Sequence, residues 1–128
     1  MRLLLMSLFF TFAFTSFAAG GTPPTKAKPN ADDLMQEILN LNSDLSCTKS
    51  EECKSVALGA RHCGGPAGFL VVSTRNPKYA KIVERAQLHE AISKENLQLN
   101  GGNTMGTCQV LMPTTTVCDR RKCVEAPL

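Results

Sequence analysis

Tryptophan is absent from this 128-residue chain, and tyrosine occurs once, as Tyr79. Five of the six phenylalanines (Phe9, Phe10, Phe12, Phe14 and Phe17) precede residue 18, so only Phe69 is left for a folded domain. The core must therefore be aliphatic and small. The chain also lacks the aromatic surfaces on which a sugar cleft stacks its ligand, which weakens a glycosidase or lectin function. No Asn-x-Ser/Thr sequon occurs, so N-glycosylation is not expected and the source leans bacterial. There is no Gly-x-Ser-x-Gly elbow and no His-Glu-x-x-His helix. No Cys-x-x-Cys is present either, which removes the usual zinc and thioredoxin-like spacings. Lys and Arg total 14 against 11 Asp and Glu, interspersed, which gives nucleic acid no basic face to bind. No catalytic set, metal site or cofactor site emerges from these residues.

What is present begins with a leader. Met1-Arg2 supplies one positive charge, and Leu3 to Phe14 is apolar apart from Ser7 and Thr11. Ser16 and Ala18 put small residues where a signal peptidase reads. At about a dozen residues the apolar run is short for a bilayer span of roughly 20. Residues 1–18 are expected to be a cleaved signal peptide, leaving no membrane span. Loss of Arg2 takes the formal net charge from +3 to +2. Residues 19–29, with Gly20, Gly21, Pro23 and Pro24, read as a flexible leader without an apolar period. Residues 30–128 form the expected single domain, and the localisation is exported, either periplasmic or extracellular.

All six cysteines (Cys47, Cys53, Cys63, Cys108, Cys118 and Cys123) lie beyond the leader. An even count in an exported chain reads as three disulfides. Each contributes roughly 2–4 kcal/mol, mainly by restricting the unfolded chain. Fifteen pairings are open in principle. The favoured one ties the Cys47–Cys63 region to the C-terminal strands, with a local Cys118–Cys123 pair as the alternative.

Periodicity gives an α+β order. Asn30 can cap a helix over about 31–42, with Asp32 and Asp33 in its first turn and Leu34, Ile38, Leu41 and Leu45 at helical spacing. Cys47 to Cys53 reads as a polar loop or short turn, in which Glu51-Glu52 are solvated. Lys54 to Leu58 and Phe69 to Val72 read as strands, the second continuous enough to be central. Asn76-Pro77 starts the main helix, about 77–96. Tyr79, Ile82, Val83, Ala86, Ser93 and Leu97 share one stripe of it, while Leu88, Ala91 and Ile92 lie nearly opposite. His89 falls at the margin of that face, and His62 in an exposed loop. Asn100 to Asn103 is a turn. Strands are then expected at Cys108 to Met112, Thr114 to Cys118 and Lys122 to Glu125. The fold class is a small disulfide-linked α+β domain with a mostly antiparallel sheet.

Two loops carry chemistry. Cys63-Gly64-Gly65-Pro66 reads first as a scaffold corner, with glycine for a tight path and proline for a fixed exit. Its second reading is an anion-binding nest made from the Gly64 and Gly65 amides. His62-Cys63 as a catalytic pair would strand a fifth cysteine, so it is set aside. Asp119-Arg120-Arg121-Lys122, between Cys118 and Cys123, is a charged hairpin tip. Arg120, Arg121 and Lys122 are the candidate partner-binding residues, facing either a protein or an anionic surface polymer.

The order of Cys47-x5-Cys53, Val56-x-Leu58-Gly59, Cys63-Gly-Gly-Pro66, Phe69-Leu-Val-Val-Ser73 and Val117-Cys118-x4-Cys123-Val124 resembles a group of small exported bacterial proteins. Those proteins share a Cys-Gly-Gly-Pro core and a C-terminal cysteine pair. The resemblance spans about residues 45–125 and implies a framework without an activity. The expected function is a non-enzymatic, disulfide-stabilised structural or binding module. The alternatives are an inhibitor of a trypsin-like secreted serine protease acting through Arg120-Arg121, and a small secreted hydrolase with an unrecognised site.

Overall fold

The computed structural model describes residues 28–101 and 108–126. The expected signal peptide, most of the leader and the Gly102-Asn103 part of the expected turn lie outside those residues. The first helix, α1 (Ala31–Leu41), starts as its sequence dictates. The Asn30 side chain accepts the Asp33 amide at 2.7 Å, and Asp32 and Asp33 oppose the positive helix end. A 3-10 turn, Ser50–Glu52, leads into strand β1 (Cys53–Leu58), which pairs antiparallel with β2 (Gly68–Ser73). The register sets Cys53 against Ser73 at the open end and Leu58 against Gly68 at the loop end.

The long helix α2 (Tyr79–Leu99) follows. Asn76 and Pro77 form the turn before it rather than its first residues: the Asn76 carbonyl accepts the Tyr79 amide at 2.9 Å. The buried stripe is Ile82, Ala86, His89 and Ile92, which corrects the expected one in two places. Ile92 points inward, and His89 is only 7% exposed. The reason is a second neighbour: α2 packs on both β1 and α1, so its covered arc is wider than a single stripe.

Strands β3 (Thr116–Asp119) and β4 (Lys122–Glu125) make a separate antiparallel hairpin. Among the described residues there are thus two two-stranded sheets, and β2, expected to be central, pairs there with β1 alone. The strand expected at Cys108 to Met112 does not form. Val110 and Met112 are 83% and 75% exposed. This segment is tied by side chains rather than by a backbone ladder: Arg61 Nη1 donates to the Gln109 carbonyl at 2.9 Å, and the Ser55 and Thr114 hydroxyls meet at 3.3 Å. Pro113, which has no N–H to give, follows directly.

The core has two parts. Ile38, Leu58, Val72, Ile82 and Ala86 form an aliphatic cluster between the helices and the β1–β2 hairpin. Cys47, Cys53 and Cys123 form a sulfur cluster against Leu45 and Val71. No helix among the described residues is long and apolar enough to cross a membrane.

Three disulfides join the parts: Cys47–Cys118, Cys53–Cys123 and Cys63–Cys108. Each links the first half of the chain to the C-terminal segment, as favoured above, and Cys118 and Cys123 face each other across β3–β4 without pairing. Cys53–Cys123 binds the open end of the β1–β2 hairpin to β4, Cys47–Cys118 binds the segment before the 3-10 turn to β3, and Cys63–Cys108 holds the hairpin loop. They close separations of 71, 70 and 45 residues. Loops of that length correspond to about 4 kcal/mol each in the chain-entropy picture, taken singly.

Candidate functional site

Hairpin β3–β4 reverses through Arg120 and Arg121, with φ of 46° and 64°. Positive φ at both central residues is the sense of a type I′ turn, which matches strand twist and favours Asn-Gly. Two arginines there carry a backbone penalty of about 1–2 kcal/mol per residue. The surroundings hold them in place. The Arg121 carbonyl accepts the Cys47 amide at 3.0 Å, and the Cys123 amide donates to Leu45 at 2.8 Å. Ser46 forms a bridge with Lys122, and the Cys118 amide donates to the Ser50 hydroxyl at 3.1 Å. With Cys118 and Cys123 both in disulfides, the tip is a braced mount. Arg120, Arg121 and Lys122 all project into solvent.

Several polar residues elsewhere in the domain are taken up by structural contacts. Ser73, fully buried, donates its hydroxyl to the Ser46 carbonyl and accepts the Arg75 amide at 3.1 Å. Glu51 is exposed, but Glu52 is not the solvated carboxylate its neighbour suggested. It accepts the Thr48 amide at 2.6 Å, and that bond holds its carboxyl below the usual carboxylate range. Asp44 is lowered likewise by the Ser46 amide. His89 is pushed down by burial, partly offset by Asp32, and its Nδ1 has no partner. His62 is exposed, as expected.

The Sγ atoms of Cys47, Cys53 and Cys123 lie within 4.8 Å of one another. Every one of them is spent in a disulfide, so none is a thiolate ligand or nucleophile.

The Cys63-Gly64-Gly65-Pro66 corner is a tight turn. Gly64 and Gly65 have φ of 84° and 76°. The Gly64 amide donates to the Arg61 carbonyl at 3.0 Å, and the Arg61 amide to Gly65 at 3.1 Å. The two-amide nest is therefore not assembled, because one of its donors closes the turn itself. A pocket of about 260 Å3 nevertheless opens beside this corner, against Lys94, Leu97 and Gln98 of α2. Sequence reasoning missed those helix residues. Their i, i+3, i+4 spacing marks a common face, but nothing local couples it to a loop some thirty residues earlier.

The chain matches no protein-family model, no curated protein and no solved structure.

Proposed function

We propose that this chain is an exported, non-enzymatic binding module that presents Arg120, Arg121 and Lys122 to an anionic surface polysaccharide. One observation carries the reading: two arginines occupy the two positive-φ positions of a braced hairpin tip. A turn selected for stability alone takes Asn-Gly there. Departures from local preference concentrate where a side chain is needed for function. Three cross-links on a small aliphatic core fit an oxidising compartment, where such bonds persist. A serine-protease cleft receives an extended segment, and the reversed backbone at Arg120-Arg121 gives the inhibitor alternative no support.

The test is chromatography of the oxidised mature chain on immobilised heparin, used as the polyanion probe. The unaltered protein is expected to be retained at low salt and to elute as salt rises. Arg120→Asn with Arg121→Gly keeps the turn and removes the charge, and should pass through. Equal retention of the two proteins, with Lys78→Gln as a control outside the tip, would refute the contact surface. Export is tested separately by fusing residues 1–29 to a phosphatase that is active only outside the cytoplasm. An inactive fusion rejects it.

A further inference from the structure

The pocket beside the Cys63 corner has a chemistry of its own. Its walls include Arg61, His62 and Lys94, and no carboxylate is among the described residues that line it. Leu97 and Ala60 supply an apolar surface, and Gln98 an amide. We propose that this pocket binds a small oxyanion, a carboxylate or phosphate group on a compact molecule, independently of the Arg120-Arg121 tip.

Four features bear on it. The guanidinium of Arg61 is tethered rather than free: Nη1 donates to the Gln109 carbonyl at 2.9 Å, leaving its other N–H donors for a ligand. The wall that carries it is rigid, closed by the Arg61–Gly65 and Gly64–Arg61 backbone bonds and by Cys63–Cys108, so little ordering is lost on binding. A Cβ at Gly64 or Gly65 would meet nothing within 4 Å, so this side of the pocket faces open space. The C-terminal end of α2 itself opposes an anion, with two of its last carbonyls, those of Asn96 and Gln98, accepting the Asn100 and Gly101 amides, so the cationic side chains must outweigh it. Lys94 shares its charge with Glu90 at 2.6 Å and keeps further donors for a ligand. The volume lies below the roughly 300–1,000 Å3 of drug-sized sites, which restricts the ligand to a few heavy atoms.

The experiment is an amide-shift NMR titration of the oxidised mature chain, with inorganic phosphate in one arm and butyrate in the other. Saturable shifts are expected at Arg61 to Gly65 and at Lys94 to Gln98 in at least one arm, and the responding arm identifies the oxyanion. Arg61→Gln and Lys94→Gln should each weaken binding about ten-fold. Both positions are at the surface, and unchanged shifts of Val72 and Ile82 will verify each variant's fold. Non-saturating shifts in both arms, shifts confined to Arg120–Lys122, or affinities unchanged in both variants would overturn the proposal. Heparin retention of the unaltered chain is read separately, so either site can fail alone.

Discussion

Asn76 donates its side-chain Nδ2 to the carbonyl of Leu41 at 3.0 Å, while its Oδ1 accepts the amide of Lys78 at 2.8 Å. One buried amide therefore closes the end of α1 and shapes the entry to α2. Asn76→Ala leaves both groups unsatisfied and should cost about 1–3 kcal/mol. Asn76→Asp keeps the acceptor toward Lys78 but puts a carboxylate against the Leu41 carbonyl, and should also destabilise. Urea unfolding of the three proteins measures both effects.

The hairpin tip makes a prediction of opposite sign. Replacing Arg120-Arg121 with Asn-Gly should relieve backbone strain and raise stability by about 1 kcal/mol, even as polyanion binding is lost. Thermal unfolding decides it. A destabilised double variant would mean that the arginines stay for the fold rather than for a partner.

Disulfide mapping should return Cys47–Cys118, Cys53–Cys123 and Cys63–Cys108 with no free thiol. Removing the buried Cys53–Cys123 bond as a double alanine variant should cost about 2–5 kcal/mol. Non-reducing peptide mass spectrometry reads the pairing, and denaturant titration the cost.

His89 predicts a pH response. Burial lowers its pKa in the fold relative to the ordinary 6.5, so the unfolded chain takes up the proton first on acidification. Stability is then full above that value and falls as pH drops below it, by at most about 1.4 kcal/mol per pH unit for one group. Glu52 and Asp44, lowered in the fold, add a second loss beginning at their ordinary values of 4.5 and 3.8. Denaturation across pH 3 to 8 should show two steps, and His89→Met should remove only the upper one.

Gly59 sits at φ 65°, and a Cβ there would lie 3.0 Å from the Ala67 Cβ. Gly59→Ala should therefore destabilise more than Gly64→Ala, which meets the same left-handed strain with open space around it. Paired melting curves test the ranking.

Local signals carried most of the architecture. Asn30 with two acids, the β-branched runs and the charged turn at residues 119–122 each act over a few neighbours, and those elements formed close to where the sequence placed them, although the strand expected from Thr114 to Cys118 runs from Thr116 to Asp119. Val110-Leu111-Met112 misled because an apolar run signals burial only if a partner edge exists, and here it meets solvent. His89 misled because its surroundings come from distant segments: Gly59 after β1 lies against its ring, and Asp32 of α1 acts on its charge. The basic tip was legible as charge but not as strain, since φ at Arg120 depends on the closed hairpin. The pocket was not legible at all: Arg61 and Lys94 meet only once the helix lies against the loop.

The connectivity of the cross-links has a consequence for the order of events during synthesis. Cys47, Cys53 and Cys63 leave the ribosome together, and every one of their correct partners lies at or beyond Cys108. Any oxidant that meets the growing chain before then can only join the wrong thiols. Maturation therefore waits for the last twenty or so residues, and a nascent chain oxidised early needs an isomerase to recover.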